Sequence, residues 1–120
     1  MQPSPGIRVV PPKPIDMTDA EARTASLLAA LWVRNRPIVE ERLSTLDRAV
    51  EALATGDLPE ALHDEAASSA HKLAGSLGMY GYDEGTRIAR EIEVLLGANP
   101  DSARLGALIA ELRAAIFPDA

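Results

Sequence analysis

The chain of 120 residues contains no cysteine. Disulfides and thiolate metal sites are therefore excluded, and a reducing compartment fits. Aromatic residues make up only 3%. Alanine and leucine dominate the apolar set, a bias that favours helix over strand. Positive charge is in deficit: 12 Lys and Arg against 18 Asp and Glu leave a net charge of −6. No basic stripe is present, so no nucleic-acid partner is expected. The longest apolar run, Leu27 to Val33, falls far short of the roughly 20 residues that span a bilayer. Prolines stand near the N-terminus where a signal peptide would carry an apolar core. These absences predict a cytoplasmic protein with no membrane partner. A Gly-rich nucleotide loop is also missing, and no acidic pair is placed near His71. The chain is therefore expected to hold no metal and no cofactor.

What is present suits one compact domain with a modest core, since 47% of the residues are apolar. Residues 1–17 carry five of the nine prolines, at positions 3, 5, 11, 12 and 14, and read as an extended tail or linker. Residues 18–120 read as a helical domain. Thr18 and Glu21 have capping-box spacing and start an N-terminal helix. Asn35 as a cap and Pro37 in a first turn predict a break at Asn35-Arg36, the alternative being one helix bent at the proline. Val39, Leu43, Leu46, Val50 and Leu53 then form a bundle seam that ends near Gly56. Asp57 is read as the cap of the next helix, which runs to about Met79 and turns at Tyr80-Gly81. Further helices follow from near Asp83 to Gly97 and from Asp101 to Ile116, with Pro118 as the stop. Short links between amphipathic helices predict antiparallel neighbours.

The most informative stretch is Ala70-His71-Lys72-Leu73-Ala74-Gly75-Ser76, with Gly78 and Gly81 beyond it. Leu62, Ala66, Ala70, Leu73, Leu77 and Tyr80 recur at helical spacing as one buried stripe. His71 lies about 200° around the helix from Leu73, facing away from that stripe. Its surroundings are small: Ala67, Ser68, Ala74, Gly75 and Gly78. Glycine inside a helix costs roughly 1 kcal/mol against alanine, so two of them one turn apart call for a reason. Access for a large partner supplies one.

These residues resemble the signature of histidine-containing phosphotransfer (HPt) domains over roughly Thr18 to Phe117. The resemblance implies an all-α fold: an antiparallel four-helix bundle, here with an additional N-terminal helix and the proline-rich tail. It implies that His71 accepts a phosphoryl group from a receiver-domain aspartate, or from a kinase, and passes it to a response regulator. The partners would be receiver domains and a hybrid histidine kinase. Magnesium would come from the receiver, and the chain would be a monomeric carrier without ATP chemistry of its own. Many family members carry Lys or Arg three residues after the histidine, where this chain has Ala74. That departure keeps a second reading open, an adaptor that binds a receiver or kinase without taking phosphate. A plain helical interaction module is the third.

Transfer to an imidazole requires one ring nitrogen facing outward, the other holding its proton against an acceptor, and donors or cations for the phosphoryl oxygens. In a hairpin turning at Gly81, His71 and Glu93 lie nearly equidistant from the turn, so Glu93 is the candidate that orients the ring. Lys72 is the candidate cation, with Arg87 and Arg90 as others near the same face. The docking surface is read as Ala67, Ser68, Ala74, Gly75, Gly78, Arg87 and Arg90. Ser76 is read as bonding phosphate or its own helix backbone. His63 has no comparable surroundings and is given no role.

Overall fold

A computed structural model of the protein describes residues 18–118. The expected tail at residues 1–17 lies outside the described residues, as do 119 and 120. The described residues form four α-helices and one short turn of 3-10 helix. These are α1 (Asp19–Thr55), α2 (Glu60–Leu77), the 3-10 turn (Gly78–Tyr80), α3 (Asp83–Gly97) and α4 (Ser102–Ile116). α2 and α4 each pack against both α1 and α3, which closes the four-helix bundle. Among the described residues, no helix is long and apolar enough to cross a membrane.

The first three members of the seam expected on α1, Val39, Leu43 and Leu46, are buried; Val50 and Leu53 are only partly buried against the core, and Ala49, not expected there, is buried as well. They meet Ala66, Ala70, Leu73 and Leu77 of α2, Ile88, Ile92 and Leu96 of α3, and Leu105, Leu108, Ile109, Leu112 and Ile116 of α4 in one core. Polar pairs tie the outer edges. Both guanidinium nitrogens of Arg113 donate to Asp47, at 2.9 and 2.6 Å, a planar fork on a planar acceptor. Arg48 of α1 donates to Glu65 of α2 at 3.2 Å.

The predicted break at Asn35-Arg36 does not occur. The additional N-terminal helix and the first bundle helix are one helix of 37 residues with Pro37 inside it, about 55 Å long. Interior proline typically costs about 3 kcal/mol, and tertiary contacts of the residues just before it offset it. Trp32 packs its ring against Tyr80, Tyr82 and Phe117, with centroids 5.3, 4.7 and 5.7 Å away. Asn35 is not a cap: its amide donates to the Tyr80 hydroxyl at 2.8 Å. The Arg36 guanidinium stands 4.3 Å from the Phe117 ring centroid. All four aromatic residues of the chain thus gather at one end of the bundle, packed around the turn of α1 that precedes the proline. Beyond them α1 projects from the core, with Leu27 and Leu31 exposed. The capping box at Thr18 and Glu21 is formed as expected.

The other termini follow local chemistry, with one exception. Asp57 does not cap α2, which starts after Pro59 without a side-chain cap. Asp101 caps α4, its carboxylate accepting from the Arg104 amide at 2.8 Å. Between α2 and α3 the chain reverses at Gly81, whose φ of 88° lies in the left-handed region where a Cβ is costly. That sharp reversal sets α2 against α3 in antiparallel register.

Candidate functional site

Helical phase and the Gly81 reversal together bring His71 opposite Glu93. The ring's Nδ1 lies 2.9 Å from the Glu93 carboxylate. The histidine side chain is 76% exposed and the glutamate 37%, so the imidazole stands out from the bundle while its acceptor sits at the α2–α3 seam. A carboxylate can only accept, so Nδ1 carries the proton. In the neutral ring the Nε2 lone pair is then the free one.

The small residues around His71 divide into two sets. Ser68, Gly75 and Gly78 are exposed and Ala67 is half-buried. Beside Gly75 a Cβ would meet nothing within 4 Å. Ala74, in contrast, is buried at 6% exposure, and its carbonyl accepts from the Thr86 hydroxyl at 3.3 Å. Ala74 is thus part of the α2–α3 packing and not of the docking surface. Three residues on from His71, it has rotated toward α3, where a long side chain would meet the neighbouring helix. Gly78 serves both purposes: it is exposed, yet a Cβ there would stand 3.2 Å from the Thr86 hydroxyl oxygen.

The candidate cations separate in the same way. Lys72 is exposed and lines the groove between α1 and α2 with Ile38, Glu41, Arg42, Thr45 and Ser68. Arg87 is exposed but occupied: it donates to Glu84 at 2.8 and 2.6 Å and to Glu91. The Glu84 bond, the largest cause, holds its proton still more tightly than usual. Arg87 therefore belongs to a carboxylate cluster along α3, engaged by Glu84 and Glu91. Arg90 lines the groove between α3 and α4. The Ser76 hydroxyl does not bond its own helix backbone, being buried without a hydrogen bond.

A family model described as Hpt domain matches residues 36–116. The chain belongs to the Hpt domain family. The match begins inside α1, one residue before Pro37, so the projecting half of that helix lies outside the matched segment. Protein RcaC of Microchaete diplosiphon is 31% identical over 86 residues, which covers 72% of this chain. The chain spans only 13% of that relative's length. No solved structure gives a significant match. Hpt domains carry phosphoryl groups in phosphorelays and interact there with receiver domains and kinases, so membership indicates a phosphotransfer role for this chain.

Within this Hpt domain, sequence reasoning missed His63. Its Nε2–H donates to the Leu96 carbonyl at 2.7 Å, and its Nδ1 faces Asp64 at 3.4 Å. Two acceptors around one ring favour its charged form. The Leu96 carbonyl first, then Asp64, raises the His63 pKa above the ordinary value, against a small opposing effect of burial. A pKa raised by folding stabilises the fold fully below the unfolded value of about 6.5, and the gain fades as pH climbs through the folded value. The melting-temperature gap between wild type and His63→Gln is therefore expected to be wider near pH 5.5 than near pH 8. Thermal melts of both proteins at the two pH values check this, and an equal gap would refute it.

Proposed function

We propose that this chain is a phosphoryl carrier whose acceptor is Nε2 of His71. The observation that carries the reading is the 2.9 Å contact between His71 Nδ1 and Glu93 on a ring that is otherwise open to a partner. In the transfer, the Nε2 lone pair forms a bond to phosphorus as the acyl C–O–P linkage of a receiver's aspartyl phosphate breaks at phosphorus. The aspartate leaves as carboxylate. The ring gains positive charge, with its proton still on Nδ1, and Glu93 stands where that charge develops. The receiver supplies magnesium. Lys72, one residue from His71 and exposed, supplies a point charge for the phosphoryl oxygens. The receiver closes over Ser68, Gly75 and Gly78, where the backbone is bare enough for its active site to approach. The chain acts as a cytoplasmic monomer and uses no ATP.

Glu93→Ala is expected to slow phosphorylation of His71 by roughly tenfold to a hundredfold, the scale seen when the partner orienting a working imidazole is removed. The fold should survive, because Glu93 lies at the edge of the core. Stopped-time assays with a phosphorylated receiver, beside a circular dichroism spectrum, provide the check; unchanged rates would remove Glu93 from the mechanism. The adaptor reading stays in play because of Ala74, and the same assay separates the two, since an adaptor binds the receiver and takes no phosphate.

A further inference from the structure

The Leu96 carbonyl cannot be satisfied along its own helix by the usual bond. In a continuing α-helix it would accept from residue 100, and Pro100 has no N–H. α3 ends at Gly97, and the next cap bond runs from the Ala98 amide to Leu95 instead. The Leu96 side chain is 1% exposed, so this carbonyl sits beside the core, where an unpaired acceptor is unfavourable. His63 reaches across from α2 and fills the vacancy at 2.7 Å.

Among the described residues, three polar links join α2 to α3. Near the turn, Thr86 donates to the Ala74 carbonyl at 3.3 Å. In the middle, His71 meets Glu93. At the far end, His63 holds Leu96. Glu93 lies three residues before Leu96, in the closing turns of a helix of 15 residues. Helix ends fray unless something ties them down. The Glu93 carboxylate is partly open to solvent, so its position depends on where the backbone of that turn lies.

We infer that His63 is a positioning residue for the His71–Glu93 pair. Its bond to the Leu96 carbonyl keeps the last turn of α3 against α2 and thereby fixes where the Glu93 carboxylate stands. His63 itself touches neither the phosphoryl group nor His71. The consequence for transfer rests on His71 being the acceptor; the consequence for the ring's tautomer does not.

The test uses the full chain and two measurements. Long-range proton–nitrogen NMR of the His71 ring reads which nitrogen is protonated. Labelling by phosphoramidate reads reactivity without a protein partner: its P–N bond breaks as the Nε2–P bond forms, and ammonia leaves. His63→Ala is expected to lower the Nδ1–H tautomer of His71 and to slow labelling about three- to tenfold, while circular dichroism shows the protein folded at the assay temperature. His63→Gln, whose amide still donates, should restore both to within about twofold. In the His63→Ala background the effect of Glu93→Gln on labelling should shrink by about threefold or more, because the two residues act through one geometry. A His71 tautomer that ignores His63, with rate effects that simply multiply, overturns the inference. Wild-type protein that resists phosphoramidate while its tautomer still depends on His63 overturns the carrier reading and leaves the positioning role standing.

Discussion

His71→Gln is expected to abolish phosphorylation by a charged receiver altogether. Glutamine keeps a polar side chain of similar reach but offers no ring nitrogen lone pair to attack phosphorus. The loss should be complete, not partial, because the only other histidine, His63, is engaged by Leu96 and Asp64. The fold should not suffer, since the His71 side chain is 76% exposed and a glutamine amide can still donate to Glu93, so the change should move stability by only about 0.5 kcal/mol. The decisive measurement is transfer of labelled phosphate from receiver to carrier, followed on a gel that preserves the acid-labile phosphoramidate linkage. Full labelling of the variant would show that the acceptor lies elsewhere. Wild type that binds the receiver and stays unlabelled would establish the adaptor instead.

The second large effect belongs to the core beneath the site. Leu73, two residues from His71, has no exposed surface and packs in the central cluster. Leu73→Ala removes buried methyl groups and leaves a cavity that a close-packed interior fills poorly, at a cost of about 2–5 kcal/mol. In a domain of this size each kcal/mol lowers the melting temperature by roughly 4–8 °C, so a drop of at least about 8 °C is expected. The matched control is Leu27→Ala on the projecting half of α1. Leu27 is 65% exposed, and its truncation should leave the melting temperature within about 2 °C. Calorimetry of the two variants compares them directly. Equal losses would mean that the projecting helix is packed against something in solution.

The two experiments probe different consequences of one arrangement. α2 presents Leu73 inward and His71 outward because a two-residue step turns a helix through about 200°. Disrupting one face should cost stability, and disrupting the other should cost chemistry. Glu93 connects them, as its neighbour Ile92 is buried in the core while its own carboxylate reaches the exposed ring.

Much of this was readable from the chain alone. Helical periodicity sufficed for most of the seam of α1 and the stripe of α2, because burial of an apolar face follows directly from a 3.6-residue repeat. Gly81 marked the reversal, since a left-handed residue favours glycine. Counting outward from that glycine paired His71 with Glu93, and the side chains meet. Capping chemistry located the starts of α1 and α4. Each of these depends on residues close in sequence, or on a register that a single tight turn defines.

Tertiary structure alone decided the rest. Pro37 is a local helix breaker, yet α1 passes through it, because Trp32, Asn35 and Arg36 find partners 45 or more residues away in Tyr80, Tyr82 and Phe117. Ala74 is small enough for an exposed face, but the approach of α3 buries it. Pro100 announced that the Leu96 carbonyl would need a donor, and nothing local could say that His63 would supply it. The physical reason is common to all three. Propensity and periodicity act over one or two turns, whereas the partner that offsets a broken bond or an orphaned carbonyl is chosen only when distant helices pack.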